Sequence, residues 1–137
     1  MHCTAFSIEQ VIEDRIRYVR ISWGFLNYSR VRREGMAKLS DAQVERALKS
    51  LTGWTRDGDF LMKEFHFRTF LAGIRFVDAV ALIAEAQEHH PDIRVVWTTV
   101  TLNIQTHDEG GITEWDVALA KEIEKHIIRG KKPKSAR

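Results

Sequence analysis

The 137-residue sequence has few of the features that build covalent or membrane-embedded structure. Its single cysteine, Cys3, cannot form an intramolecular disulfide and has no second thiol with which to share a metal ion. No apolar run approaches the roughly 18 residues that a membrane-spanning helix needs. The N-terminal stretch carries charged residues at Glu9, Glu13, Asp14 and Arg15, so it lacks the apolar core of a secretory signal. These absences predict a cytoplasmic protein without membrane or redox chemistry.

What is present indicates one soluble globular domain. Hydrophobic residues make up 44% of the chain and charged residues 29%, and the length is sufficient for one domain to bury a real core. The net charge of +2 is unevenly distributed, because residues 36–128 carry 10 Lys and Arg against 15 Asp and Glu. The basic surplus lies at the ends. Residues 131–137 are interpreted as a solvated basic tail, and nucleic-acid binding is not favoured.

Residues 1–35 differ from the rest of the chain. They begin with helical spacing and then become an aromatic and arginine-rich run without clear caps. Met36 stands directly before a well-formed helix start, so one hypothesis makes residues 1–35 an extension upstream of the natural start. The alternative is a genuine flexible arm that packs on a partner subunit. Residues 36–130 then form the domain.

Patterns within residues 36–130 predict the elements α-β-β-α-β-β-α. Ser40 and Gln43 form a capping box at the start of the first helix, and Asp57-Gly58-Asp59 is typical of a hairpin turn. Thr69 can cap a second helix that Pro91 ends. In that helix one buried stripe is predicted, made of Phe70, Ile74, Val77, Ala81 and Ala84. Alternation from Val95 to Gln105 indicates one long strand or two strands joined tightly near Thr98. We expect an α+β fold in which helices pack on one face of an antiparallel four-stranded sheet.

Three histidines mark the ends of these elements and form the candidate site. His89 and His90 stand where the second helix ends, and His107 stands where the last strand runs into Gly110-Gly111. Histidine is the side chain best able to donate and accept protons at cellular pH. Glu85 precedes His89 by four residues and is expected to orient its ring. The helix dipole favours a protonated His89, which suits it to donate a proton.

A metal site is not predicted at these histidines. Adjacent imidazoles point apart, and the helical His-x-x-x-His spacing and a cysteine pair are both missing. Asp116 has two open interpretations, because it is able to support the histidines or only to cap its own helix.

The spacing of these residues resembles the signature of the pterin-4a-carbinolamine dehydratases. The pattern runs from Glu85 through His89-His90-Pro91, Trp97 and His107 to Asp116 without a gap, and the resemblance covers residues 39–128. Phe65-His66-Phe67 and Thr106-His107-Asp108 also look like that family. The resemblance implies that 4a-hydroxytetrahydrobiopterin loses water to give quinonoid dihydropterin, which recycles the cofactor of an aromatic amino acid hydroxylase, with no metal or organic cofactor.

By the same resemblance, the acid-base set is His89, His90 and His107. The supporting or substrate-binding set is Glu85, Pro91, Trp97, Thr106, Asp108 and Asp116. Which imidazole is the acid stays open.

The resemblance also implies other roles and a larger assembly. Family members form dimers or tetramers, and animal members bind a homeodomain transcription factor as its dimerisation cofactor. Two alternatives to the enzyme follow: a protein-binding module, and a pterin-binding relative that acts in molybdopterin metabolism.

Overall fold

The computed structural model describes residues 37–130, with side chains as far as residue 127. The predicted extension at residues 1–35 and the basic tail at residues 131–137 lie outside the described residues. The helices are α1 (Asp41–Leu48), α2 (Phe70–Gln87) and α3 (Glu114–Gly130). The strands are β1 (Thr55–Asp57), β2 (Phe60–His66), β3 (Asp92–Val96) and β4 (Thr99–Ile104). The predicted element order is confirmed.

Local sequence signals set the start of the domain. The Ser40 hydroxyl accepts a hydrogen bond from the Gln43 amide, and the Gln43 side chain accepts one from the Ser40 amide, which is the predicted capping box. Asp41, in the first turn of α1, forms an ion pair with Arg56 on β1. The hydrogen bond from Arg56, together with its positive charge, lowers the pKa of the Asp41 carboxyl. This pair joins the first helix to the first hairpin.

Two hairpins lie side by side in the antiparallel sheet, with strand order β1-β2-β4-β3. Six residue pairs join the central strands, from Leu61 opposite Ile104 to His66 opposite Thr99. Val100, Leu102 and Ile104 of β4 are buried, while the residues between them are only partly covered. The buried face packs against the helices, which contribute Val44, Phe76, Val80, Leu119 and Ile123 to the core. One face of the sheet therefore carries the core, as predicted.

The buried side of α2 differs from the predicted stripe. Gly73, Phe76, Val80, Ile83 and Ala84 are buried, whereas Phe70 and Ile74 are exposed and Ala81 is exposed as well. Apolar residues surround much of this helix, so periodicity alone allowed two different stripes. No helix among residues 37–130 has the length and apolar character to cross a membrane.

The sheet register brings the predicted histidine-bearing segments together. Asp92, the first residue of β3, pairs with Asn103 near the end of β4. In an antiparallel pair, the residue two positions before Asp92 lies near the residue two positions after Asn103. The His90 end of α2 therefore meets the Gln105 end of β4, and the start of α3 follows a short turn later.

Candidate active site

The end of α2 directs His89 away from the helix axis. Glu88 has the left-handed backbone angle φ of 51°, an unusual conformation for a residue with a side chain. The Glu88 amide donates to the Glu85 carbonyl at 3.2 Å, and the His89 amide donates to the Ala84 carbonyl at 3.1 Å. These two bonds form a Schellman motif, which ends a helix and turns the chain. His89 therefore no longer follows the helical spacing.

His89 pairs with Asp116 and not with Glu85. Its Nε2 lies 2.6 Å from Asp116 Oδ1, and its side chain is 14% exposed beside a fully buried carboxylate. The expectation that Glu85 orients His89 is therefore wrong, because four-residue spacing brings side chains together only within a continuous helix. A carboxylate only accepts hydrogen bonds, so Nε2 carries the proton. The other ring nitrogen, Nδ1, then carries the lone pair of the neutral ring.

Asp116 has both of the roles that the sequence left open, because it caps its own helix and supports a histidine. Its Oδ2 accepts the Thr113 amide at 2.7 Å, so the carboxylate caps the start of α3 while its Oδ1 holds His89. The Thr106 hydroxyl donates a further hydrogen bond to Oδ2 at 3.0 Å. These donors compensate for burying a charged group away from water. Asp116 therefore holds the imidazole ring at a fixed place relative to α3.

The neighbouring His90 forms a second, more open imidazole–carboxylate pair. Its Nε2 lies 2.7 Å from Glu85 Oε1, and the two side chains are 60% and 58% exposed. Water screens a pair at this exposure, so it contributes little to stability. Two adjacent histidines thus occupy different environments, one enclosed and one solvated. Pro91, which follows them, leads directly into β3.

A short turn after β4 presents His107. Thr106 and Gly111 form an isolated antiparallel bridge, and the enclosed loop contains a 3-10 turn at His107–Glu109. Gly110 ends this turn with φ of 63°, a conformation that favours glycine. The bridge fixes both ends of the loop. His107 is therefore held at the end of the rigid sheet.

These segments surround a cavity of about 310 Å³, at the small end of the range for ligand sites. The lining residues are Glu88, His89, His90, Gln105, Thr106, His107, Asp108, Glu109 and Trp115. All three predicted histidines are among them, together with Thr106 and Asp108. Four others were missed, namely Glu88, Gln105, Glu109 and Trp115. All four lie next to a predicted residue in the sequence, and this proximity was the available signal.

Other predicted residues lie behind or outside the cavity. Asp116 is behind His89, and Glu85 is beside His90. Trp97 lies in the two-residue turn between β3 and β4, with φ of 50° and 77% exposure, outside the lining of the cavity in a single chain. Within residues 37–130, no group of three or more His, Cys, Asp and Glu side chains is arranged to hold a metal ion.

Comparison with known proteins gives a consistent family match. The family model for pterin 4 alpha carbinolamine dehydratase matches residues 37–126. A Mycobacteroides abscessus protein that is provisionally named pterin-4-alpha-carbinolamine dehydratase is 50% identical over 94 residues, which are 69% of this chain and all of that protein. A Roseiflexus protein with the same provisional name is 49% identical over 87 residues, 64% of this chain and 94% of that protein.

Solved structures also resemble this chain. One of them is the Brucella melitensis transcriptional coactivator/pterin dehydratase, which aligns with a TM-score of 0.62 and 29% identity, over 64% of this chain and 96% of that one.

Proposed function

Because the chain belongs to the pterin 4 alpha carbinolamine dehydratase family, we propose that it removes water from a 4a-hydroxytetrahydropterin such as 4a-hydroxytetrahydrobiopterin. The observation that carries this proposal is the cavity that joins three histidines from two segments far apart in the sequence. In one of them, His89, the Nε2 atom is hydrogen-bonded to the buried Asp116 carboxylate. Such an arrangement suits proton transfer by histidine in both directions.

The reaction requires one proton to be given and one to be taken. The bond between C4a and the hydroxyl oxygen breaks, and the hydroxide leaves as water after it receives a proton. The proton on N5 passes to a base, and the electrons of the N5–H bond form the C4a–N5 double bond of the quinonoid dihydropterin. General acid and general base steps each contribute about 10²- to 10⁴-fold in rate.

His89 is suited to take the N5 proton. Asp116 fixes the proton of the neutral ring on Nε2, so the lone pair lies on Nδ1. When Nδ1 accepts a proton, the ring becomes a cation beside the Asp116 carboxylate, which stabilises it. The same division of work between an imidazole and a buried carboxylate operates in hydrolytic triads. The helix dipole, equivalent to about half a charge, favours the same cation.

His90 and His107 are then the candidates to protonate the leaving hydroxyl. Both line the cavity, and both are more exposed than His89, so each can be reprotonated from solvent after turnover. Asp108, which shares the lining, is proposed to contact the pterin, and Thr106 to support the site. The product returns to the cofactor cycle of an aromatic amino acid hydroxylase in the cytoplasm.

Self-association is a second part of the proposal. Phe70, Leu71 and Ile74 on α2, and Ile93, Val96 and Trp97 on β3 and its turn, are large apolar side chains exposed on a single chain. Exposed apolar groups of this kind are typical of protein interfaces, and β3 is an edge strand of the sheet that residues 37–130 form, a position that favours pairing with another chain. A homodimer or homotetramer would cover them, and so would the partner of a coactivator, the role that the Brucella protein's description also names.

Water loss from freshly generated 4a-hydroxytetrahydropterin, followed by absorbance, tests the enzyme directly. The wild-type chain is expected to accelerate the reaction, and the His90→Ala/His107→Ala double variant should lose about 10²-fold or more. His66→Ala is the matched control, because His66 lies on β2 and bonds Thr99 outside the cavity lining. A folded wild-type chain without any acceleration would overturn the proposal.

A further inference from the structure

We propose that Thr106 is a positioning residue that holds the His89–Asp116 pair and the His107 turn in one fixed arrangement. The inference rests on the proposed function, because it assigns a role within the same cavity. Thr106 follows β4 and immediately precedes His107. Its backbone and its side chain contact different halves of the site, and each half carries a histidine.

The backbone of Thr106 anchors the His107 half. Its amide donates to the Gly111 carbonyl at 3.1 Å, and its carbonyl accepts from the Glu109 amide at 3.1 Å. These bonds close the loop at the base of the 3-10 turn. The position of His107 is therefore tied to the position of Thr106.

The side chain of Thr106 anchors the His89 half. Its hydroxyl lies 3.0 Å from Asp116 Oδ2 and 2.7 Å from the Thr113 hydroxyl. A hydroxyl has one proton to donate, and the carboxylate can only accept, so Thr106 donates to Asp116 and accepts from Thr113.

The Thr113 hydroxyl has two acceptors for its proton. It lies 2.7 Å from the Thr106 hydroxyl and 3.4 Å from Asp116 Oδ2, so Thr106 is the nearer one, and the Thr113 oxygen accepts from the Trp115 amide at 3.2 Å. The resulting chain runs from the Trp115 amide through two hydroxyls to Asp116. Hydrogen bonds in such a chain strengthen one another where water is excluded. Because the Thr106 hydroxyl and the amide and hydroxyl of Thr113 all converge on Oδ2, the network fixes the rotation of the Asp116 carboxylate, and through it the His89 ring.

Thr106→Val tests this role while keeping the shape of the side chain. Valine is β-branched like threonine, so the bridge to Gly111 is preserved and only the hydroxyl is lost. Turnover is expected to fall about tenfold, the size expected for losing a hydrogen bond to a charged group. Thr106→Ser, which keeps the hydroxyl, should restore most of the activity. Thr99→Val is the matched control, because it removes a hydroxyl at the other end of β4 that bonds the exposed His66.

Two readouts separate positioning from a general structural effect. In the Asp116→Asn background, Thr106→Val should cause little further loss of turnover, since its partner has already been changed. Independently of activity, nitrogen-15 NMR of labelled histidine should show a protected Nε2 proton on His89 in the wild type and in Thr106→Ser. In Thr106→Val that proton should exchange about tenfold faster.

The two measurements also distinguish failure of the inference from failure of the proposed function. If the wild type has no dehydratase activity but the Nε2 proton loses protection in Thr106→Val alone, the positioning role stands and the proposed reaction is wrong. Unchanged exchange in Thr106→Val would overturn the inference. So would full additivity with Asp116→Asn, or a Thr106→Ser variant as impaired as Thr106→Val.

Discussion

At the scale of single residues, Asp116 connects the fold to the proposed chemistry. One of its oxygens caps α3 by accepting the Thr113 amide, and the other holds His89. A change at this residue should therefore affect both stability and turnover. Each effect is followed by its own measurement.

Asp116→Asn is expected to lower turnover by about 10²- to 10⁴-fold. An amide in place of the carboxylate no longer offers His89 an ionised acceptor, so the ring is released from its fixed tautomer and its cation loses a partner. The free energy of unfolding should also fall by about 1–3 kcal/mol, because buried donors lose a charged acceptor. Turnover and urea denaturation measure the two effects.

Glu85→Gln provides the matched control, since it makes the same chemical change at the other imidazole–carboxylate pair. Glu85 and His90 are both more than half exposed, so stability should change by less than about 0.5 kcal/mol and turnover should change far less than in Asp116→Asn. Equal losses in the two variants would contradict the distinction between the enclosed and the open pair.

Five of the nine residues that line the cavity, the three histidines among them, could be predicted from the sequence, but the partner of His89 could not. His89, His90 and His107 do line one cavity. The partner of His89 was assigned to Glu85 by helical spacing, and that assignment was wrong because the helix ends at Gln87. Glycine usually occupies the left-handed position that ends a helix, but this sequence has Glu88 there, so the end of the helix could not be predicted from a glycine. Asp116 lies 27 positions from His89 in sequence, a separation that local rules do not reach.

At the scale of elements, the end of α2 contains a conformation that its sequence disfavours. A residue with a side chain in the left-handed region costs about 1 kcal/mol or more relative to glycine. Glu88 adopts this conformation directly beside the cavity. Such strain is commonly retained where it places functional groups, and here it turns His89 toward Asp116.

Glu88→Gly is therefore expected to raise the free energy of unfolding by about 0.5–1 kcal/mol, because glycine adopts this backbone angle without strain. Gln87→Gly, one position earlier and still helical, is the matched control and should lower it by about 1 kcal/mol. Thermal or urea denaturation of both variants measures the difference. Destabilisation of similar size in both would show that the turn at Glu88 is not strained.

The predicted buried stripe of α2 was confirmed at Ala84 and in part at Val77, and it was wrong at Phe70, Ile74 and Ala81. A helix with apolar residues on several sides gives no unique periodic solution, and the residues that face the sheet are set by packing against β4 and α3. Gly73 is buried, and a Cβ at this position would be in ordinary van der Waals contact with Val100 at 3.4 Å and Phe67 at 3.5 Å, so α2 lies directly against the sheet here. Close approach of the helix to the sheet at this glycine favours the Gly73–Phe76–Val80 side. The opposite side of α2, which carries Phe70, Leu71 and Ile74, is exposed, and its apolar character is not explained by the core of a single chain.

At the scale of the whole molecule, that outer side supports self-association. Leu71→Glu is expected to lower the oligomeric state, because it places a charge within the exposed apolar side of α2, where Leu71 is 57% exposed. Ala42→Glu is the matched control, since it adds the same side chain to the exposed surface of α1. Light scattering after gel filtration gives the mass of each variant. A monomeric wild type, or equal masses for all three proteins, would contradict the proposed interface.

The order of elements and the sheet class followed from sequence patterns alone. Capping residues at Ser40 and Thr69 and the turn at Gly58 act locally, so the local prediction of α1, the first hairpin and the start of α2 was confirmed. The sequence left open whether residues 95–105 form one strand or two. The structure has two, with Trp97 in an unusual left-handed turn that carries no glycine. The convergence of the histidines depends on the register between β3 and β4, which is a property of the assembled sheet.

Proton transfer by the His89–Asp116 pair is tested most directly by the rate of water loss from 4a-hydroxytetrahydropterin. The rate is measured in the presence of the wild type, His89→Gln and His66→Gln. Glutamine keeps a polar side chain of similar length but cannot exchange a proton at neutral pH. We expect acceleration by the wild type and by His66→Gln, and a loss of about 10²-fold or more in His89→Gln. A folded His89→Gln variant that is as fast as the wild type would contradict the assignment of proton transfer to the His89–Asp116 pair.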